Sequence, residues 1–179
     1  SLGSTAAKAI RTDGVVEASS VGLPQPKDAP GLTWGRAAEL EWSDGAAISD
    51  KWLSLSRKHL VQTTAQCRST DDVRQAITNG YALTLASNWG GSMQCRVTGN
   101  PPVLLNTRAG VWNHQMSCIG WQEHPELGQL FYILNSWSPS AHGTPPDDAP
   151  PGGFWIKEPE MAYIVRQEEV FAFSAFHWS

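Results

Sequence analysis

The sequence predicts an α+β fold in which a helix-containing N-terminal part precedes an antiparallel sheet or small barrel. Capped helical patterns stand in the first half of the chain, and short apolar runs bounded by Gly, Pro or Asp follow in the second half. Helices followed by strands are typical of α+β folds. With 41% hydrophobic and 17% charged residues, the 179-residue chain has the balance of a globular protein. We expect residues 1–68 to form a helical and irregular part and residues 69–179 to form a β-rich domain.

The N-terminal part is predicted to contain two short helices separated by irregular chain. Ser4, followed by TAAKAIRTD and then Gly14, predicts a helix with a hydroxyl N-cap and a glycine just past its end. Residues 17 to about 50 are rich in Pro, Gly, Ser and Asp, which is typical of an irregular surface segment. The run ISDKWLSLSRKHL, residues 48–60, predicts a second short helix.

The clearest helical pattern is STDDVRQAITNG, residues 69–80. Ser69 is placed to cap it, and Asp71 and Asp72 stand in the first turn, where the positive end of the helix dipole favours them. Asn79-Gly80 is a stop signal. The predicted buried side consists of Val73, Ala76 and Ile77.

Six apolar runs predict strands, because each is short and bounded by turn residues. They are YALTLAS (81–87), HQMSCIGW (114–121), QLFYILNSW (129–137), GGFWIKE (152–158), MAYIVRQ (161–167) and VFAFSAF (170–176). The Pro- and Gly-rich insert SPSAHGTPPDDAPPGG, residues 138–153, predicts a loop between two of them.

Composition argues against several classes of function. The net charge of −4 and the scattered Lys and Arg residues form no basic stripe, so nucleic acid is not an expected partner. No apolar run is long enough to predict a membrane span. No feature of the sequence indicates a cellular compartment.

The cysteines and histidines indicate neither a metal site nor a cofactor. Cys67, Cys95 and Cys118 form no CxxC pair and have no metal-ligand spacing with the five histidines. A Cys67–Cys95 disulfide is compatible with the sequence, and the odd count leaves at least one thiol free. We expect Asp147-Asp148, in the proline-rich loop, to form a solvated turn rather than a calcium site. The nine tryptophans are expected to pack in the core and at its rim rather than to form a binding face.

Two predicted strands carry polar residues at their ends: His114 opens one, and Asn135 lies near the end of another, in the motif NSW. Polar groups at strand ends that meet at a sheet edge are typical of active sites. A histidine that serves a thiol or hydroxyl nucleophile needs a third group to hold its ring, and an asparagine carbonyl can do so without adding charge. Trp137 is placed to shield such a hydrogen bond from water.

The order of these motifs resembles the second half of papain-family cysteine peptidases. STDDVRQAITNGYALTLAS, NHQMSCIGW, FYILNSW and GGFWI are similar, in that order, to the family's helix and strand, histidine strand, Asn-Ser-Trp strand and Gly-Gly-Tyr strand. STAAKAIRTDGVVEASSVGLPQP also resembles the passage that follows the family's cysteine-bearing helix. The resemblance implies a papain-like fold and a peptide or protein substrate. It makes His114 the catalytic base, Asn135 its orienting partner, Trp137 the cover on the leaving-group side, and Asn113 and Gln115 residues of the substrate cleft.

The chain also departs from the family pattern. The family's nucleophile opens a helix in a Cys-Gly-x-Cys-Trp segment, and none of the three cysteines here stands in such a context. Ser138 replaces the usual glycine after NSW, and the proline-rich loop replaces Trp-Gly-Glu. We therefore expect the nucleophile on a missing N-terminal segment or a companion chain, and this chain alone to be inert.

Two other functions fit the sequence. One is a non-catalytic papain-like module that binds a partner or builds a larger assembly. The other is a divergent amidase of the cell-wall-hydrolase type, which shares the Cys-then-His order but usually lacks Asn-Ser-Trp. The residue that begins the upstream helix would separate enzyme from module: cysteine for the first, and Ser, Ala or Gly for the second.

Overall fold

A computed structural model describes residues 3–13, 53–54, 56–57 and 60–176 of the chain. The chain divides into two compact units, one formed by residues 1–7 and 64–174 and the other by residues 8–63 and 175–179. The candidate site described below lies in the first unit. The predicted boundary between residues 68 and 69 stays a prediction.

Within the described ranges we assign three helices and eight strands. The helices are α1 (Gly3–Thr12), α2 (Thr70–Thr78) and α3 (Glu158–Val165). The strands are β1 (Val61–Gln66), β2 (Ala82–Gly91), β3 (Arg96–Thr98), β4 (Val103–Leu105), β5 (Arg108–His124), β6 (Gly128–Leu134), β7 (Gly153–Lys157) and β8 (Val170–Phe176).

The strands of the described segments form one eight-stranded sheet in the order β1-β8-β2-β5-β6-β7-β4-β3. The central pairs β2/β5, β5/β6 and β6/β7 are antiparallel. β4 instead pairs with β7 in parallel, at Leu105 and Trp155. The sheet, which was expected to be antiparallel, is therefore mixed. Strand β4 lies on the side of β7 that faces away from β6 and runs parallel to β7.

Helix α2 is confirmed with the predicted caps. The Ser69 side chain accepts from the Asp72 backbone N–H at 3.0 Å, and the Asp72 carboxylate accepts from the Ser69 N–H at 3.1 Å, which together form a capping box. Helix α1 begins at Gly3, so the predicted cap Ser4 lies inside its first turn. The predicted stop at Gly14 and the irregular segment 17–50 lie outside the described residues. Residues 53, 54 and 56 of the second predicted helix are helical.

The strand predicted at MAYIVRQ is wrong, because this segment belongs to helix α3. Glu158 and Glu160 occupy its first turn, and Pro159 stands where a missing N–H costs no hydrogen bond. Met161, Ile164 and Val165 are buried with the i, i+3, i+4 spacing of one helical face. The β-branched Ile-Val pair had favoured a strand, and packing of the helical face outweighs that preference.

Strand β6 is buried on both faces of the sheet. Side chains alternate along a strand, so Phe131 and Ile133 join the main core while Leu130 and Tyr132 join a second apolar cluster. The main core is formed by the central strands together with α2 and α3. Asn135 follows directly on β6, so its backbone continues from a strand that is buried on both faces.

No helix in the described part of the chain is long and apolar enough to cross a membrane.

Candidate active site

Strands β5 and β6 bring His114 and Asn135 together. The two strands pair antiparallel with Ser117 opposite Leu134, which carries the residue after Leu134 toward the start of the histidine motif. The Nε2 atom of His114 lies 2.9 Å from the Oδ1 atom of Asn135. Both side chains are half-buried. The two residues singled out from the sequence therefore form a hydrogen-bonded pair.

Trp137 lies against His114. Its ring centroid is 5.3 Å from that of His114, at an interplanar angle of 35°. Trp137 remains 44% exposed, so it contacts the histidine with one part and solvent with another. The indole therefore covers one side of the imidazole.

The backbone of Ser136 identifies the orientation of the Asn135 amide. Its N–H donates to Oδ1 of Asn135 at 2.8 Å. A backbone N–H can only donate, so the atom that it meets must be the amide oxygen. The Nε2 atom of His114 must then donate to the same oxygen. The neutral His114 ring therefore carries its proton on Nε2, which leaves Nδ1 as the nitrogen that can exchange a proton with a nucleophile.

A second histidine, His142, completes the group from the proline-rich loop. Its Nε2 lies 2.9 Å from the Nδ2 atom of Asn135. Its ring stacks on Trp137 at 5.4 Å and meets Phe154 edge-on at 4.7 Å. Only 5% of His142 is exposed. Burial, and secondarily the nearby charge of His114, lowers the pKa of His142 below the ordinary value of 6.5.

No sequence pattern singles out His142. Its surroundings, SPSAHGTPP, predict only a loop, and no local pattern indicates which strand the loop contacts. The signal available was a histidine seven residues after the asparagine of the Asn-Ser-Trp motif, without a charged neighbour.

Hydrogen bonds hold the loop that carries His142 against the sheet. The Tyr132 hydroxyl donates to the Pro150 carbonyl, and the Trp155 indole N–H donates to the Asp147 carboxylate at 2.8 Å. The backbone N–H of Asn135 donates to the carbonyl of Gly152 at 3.2 Å. The expected solvated turn is thus wrong for Asp147, which is half-buried and anchors the loop to a core tryptophan. Across the described residues no group of three or more His, Cys, Asp and Glu side chains could hold a metal ion.

An open polar cleft of about 500 Å³ lies beside His114. Asn113 and Gln115, predicted from their positions beside the histidine, both line it. Side chains that alternate along a strand would normally point to opposite faces, but β5 has one residue more than β2 between the pairs Val111–Trp89 and His114–Ser87. The extra residue lies just before His114, at residues 112–113. The other lining residues are Ala86, Ser87, Asn88, Gln167 and Glu169.

One wall of the cleft is formed by residues that follow α3. The sequence did not predict this wall, because the segment of α3 has the pattern of a strand. Gln167 follows that helix, and its side-chain oxygen accepts from the Asn88 backbone N–H at 2.8 Å. The Asn88 side-chain oxygen accepts from the Tyr163 hydroxyl, also at 2.8 Å. The helix therefore holds the edge of the cleft in place.

All three cysteines are free thiols. Burial raises the pKa of Cys67 and of Cys95 to about 11 and the pKa of Cys118 to about 12. The thiolate is the nucleophilic form, so these side chains are poor nucleophiles at neutral pH. The free state of Cys67 and Cys95 also means that the structure contains no disulfide between them.

Comparison with solved structures finds a likeness in fold. No protein-family model and no curated protein matches the sequence. The structure is similar to the crystal structure of xylellain, a cysteine protease from Xylella fastidiosa, with a TM-score of 0.54 and 15% sequence identity. The match covers 95% of this chain and 60% of xylellain. The chain thus has a sheet-dominated fold similar to that of a cysteine protease and spans about 60% of the length of that neighbour.

Proposed function

We propose that this chain carries the histidine–asparagine part of a papain-like cysteine peptidase, an enzyme that hydrolyses peptide bonds with a thiol nucleophile. The observation that carries the proposal is the 2.9 Å contact between His114 and Asn135 beneath the ring of Trp137. A histidine held by an uncharged acceptor and shielded by an aromatic ring is suited to proton transfer. The similarity of the fold to a cysteine protease supports the same assignment.

The proposed mechanism follows from the protonation of His114. Its free Nδ1 takes the proton of a cysteine thiol, and the resulting thiolate attacks the peptide carbonyl carbon. The imidazolium then gives that proton to the leaving amine as the C–N bond breaks. Water, deprotonated by the same Nδ1, attacks the thioester and releases the acid and the thiol. Asn135 keeps the ring in one orientation throughout.

The nucleophile in this proposal lies on a chain segment outside residues 1–179 or on a companion chain. The raised pKa values of Cys67, Cys95 and Cys118, caused by burial, are the reason for not assigning the role to any of them. Asn113 and Gln115 are assigned to the binding of a peptide substrate, since both line the open cleft beside His114. The same burial of the thiols favours a second candidate, a non-catalytic papain-like module that binds a partner through this cleft.

Labelling of the intact protein with a peptide electrophile that reacts with activated thiols separates the two candidates. We expect one labelled cysteine, located by mass spectrometry outside residues 1–179, together with hydrolysis of peptide substrates. His114→Ala should abolish labelling and lower kcat/KM by about 10³-fold or more, and Asn135→Ala should lower it less.

Glu123→Gln is the matched control, because Glu123 is an exposed residue of the same strand, β5. It should leave both readouts unchanged. Absence of any labelled cysteine, or labelling that survives in His114→Ala, would contradict the enzyme and favour the binding module.

A further inference from the structure

The Asn135 amide uses both of its polar atoms within the site. Its oxygen accepts from His114 and from the Ser136 backbone, and its nitrogen faces Nε2 of His142 at 2.9 Å. An amide nitrogen donates and does not accept. Nε2 of His142 must therefore be unprotonated.

The tautomer of His142 follows from that bond. A neutral imidazole with a bare Nε2 carries its proton on Nδ1. Nδ1 of His142 is buried and has no hydrogen-bond partner among the described residues. The His142 ring thus makes one hydrogen bond, from Asn135 to Nε2, and its Nδ1–H has no acceptor among the described residues.

Packing alone does not account for a histidine at this position. The contacts of its ring are aromatic, with Trp137 on one side and Phe154 on another. A phenyl ring could make the same contacts, and it would not bury an unsatisfied N–H. What distinguishes histidine from phenylalanine here is the acceptor that it offers to Asn135.

We propose that His142 is a positioning residue: as a neutral imidazole it accepts a hydrogen bond from the Asn135 amide and so holds the amide oxygen against His114. The role in peptide hydrolysis rests on the function proposed above, whereas the hydrogen-bond geometry does not. His142 does not contact the reacting atoms in this scheme. It acts through Asn135.

Protonation of His142 should release this restraint. Nε2–H would then face the Nδ2–H groups of Asn135, two donors without an acceptor, and the bond would be lost. The titratable group that acts on His142 is His114, whose positive charge opposes a second one nearby. The hydrogen-bond partner and the two aromatic neighbours of the ring, Asn135, Trp137 and Phe154, carry no charge. The site should therefore loosen under acidic conditions.

Long-range ¹H–¹⁵N NMR of the intact protein, labelled in histidine and asparagine, tests the proposal directly. At neutral pH we expect His142 to show a protonated Nδ1 and a bare Nε2. As the pH falls, the side-chain amide signals of Asn135 should shift with the same midpoint as His142.

Two variants sharpen the test. His142→Phe keeps an aromatic ring but removes the acceptor, and we expect exchange of the Asn135 amide protons with water to rise about tenfold. His142→Gln places a carbonyl oxygen near the position of Nε2 and should restore slow exchange. In the intact enzyme, His142→Phe should lower kcat more than it changes KM, and His142→Gln should recover part of the loss.

A proton on Nε2 of wild-type His142 at neutral pH would overturn the proposal, and so would Asn135 signals that ignore the titration of His142. Both results come from the wild-type protein, so they do not depend on how well a variant folds. The NMR readouts need no turnover. A protein without peptidase activity but with the predicted tautomer and shared midpoint would contradict the proposed function while leaving the positioning of Asn135 by His142 intact.

Discussion

Asn135 connects three parts of the chain through one side chain and its backbone. It binds His114 of β5, His142 of the loop, and, through its N–H, the carbonyl of Gly152 just before β7. An amide suits this position because it accepts at one atom and donates at the other without a charge. An aspartate could accept from His114 but could not donate to a neutral His142. The position therefore needs both polar atoms of a carboxamide.

At the residue scale, the environment of His142 predicts a pH-dependent stability. Its pKa is lowered by burial, so the unfolded chain binds more protons than the native protein when the pH lies below about 6.5. The contribution of this group is therefore complete above that pH and is lost as the pH falls toward the lowered pKa. The slope it adds cannot exceed about 1.4 kcal/mol per pH unit, the value for one proton.

Urea unfolding at a series of pH values measures this contribution. The free energy of unfolding of the wild-type protein should fall more steeply on acidification than that of His142→Phe, which has no titratable group at this position. Groups remote from His142 titrate equally in both proteins, so the difference reports on His142 and its interaction with His114. Parallel curves would show that His142 keeps an ordinary pKa in the folded protein.

At the element scale, the end of β6 and the start of β7 require glycine. A Cβ atom on Gly153 would lie 2.5 Å from the carbonyl oxygen of Ile133 and 2.6 Å from the Tyr132 ring. Gly153 pairs with Leu134, the residue before Asn135. The absence of a side chain here lets β7 approach the strand end that carries the site.

Gly153→Ala should therefore destabilise the protein by about 2–3 kcal/mol, because the backbone of β6 must move to admit the methyl group. Gly120→Ala is the control, since a Cβ there would make an ordinary contact of 3.4 Å with Tyr132. It should change the free energy of unfolding by less than about 0.5 kcal/mol. Equal effects of the two substitutions in thermal or urea unfolding would contradict this account of the strand end.

Local signals explain which elements could be predicted from the sequence. Helix α2 could be predicted because its start is marked locally. The side chains of Ser69 and Asp72 each accept a hydrogen bond from the backbone N–H of the other residue, within four residues of the sequence. Helix α3 was misread because its stretch Tyr163-Ile164-Val165 is typical of a strand, and burial of one helical face decided the outcome. His114 and Asn135 were found through motifs, whereas His142 reaches the site through contacts of an irregular loop that no periodicity describes.

At the scale of the whole molecule, similarity to a cysteine protease persists at 15% sequence identity. Packing of the sheet against α2 and α3 needs apolar residues of suitable size at alternating and helical spacings, and many sequences meet that requirement. Fewer sequences can form the polar arrangement at the end of β6. It depends on two imidazoles that share one carboxamide, and on one indole and one phenyl ring that pack against those imidazoles.

The position of the site in the strand order has a consequence for dynamics. β5 and β6 are the two middle strands, each with three strands on its outer side, while β1 and β3 lie at the two edges of the described sheet. Edge strands open at a lower free energy than a doubly buried central strand. Native-state hydrogen exchange should therefore show the amides of Phe131 and Ile133 among the slowest and those of β3 among the fastest. Comparable rates in both places would contradict this order. If the order holds, the margins of the sheet can open transiently while the imidazole–carboxamide pair stays assembled.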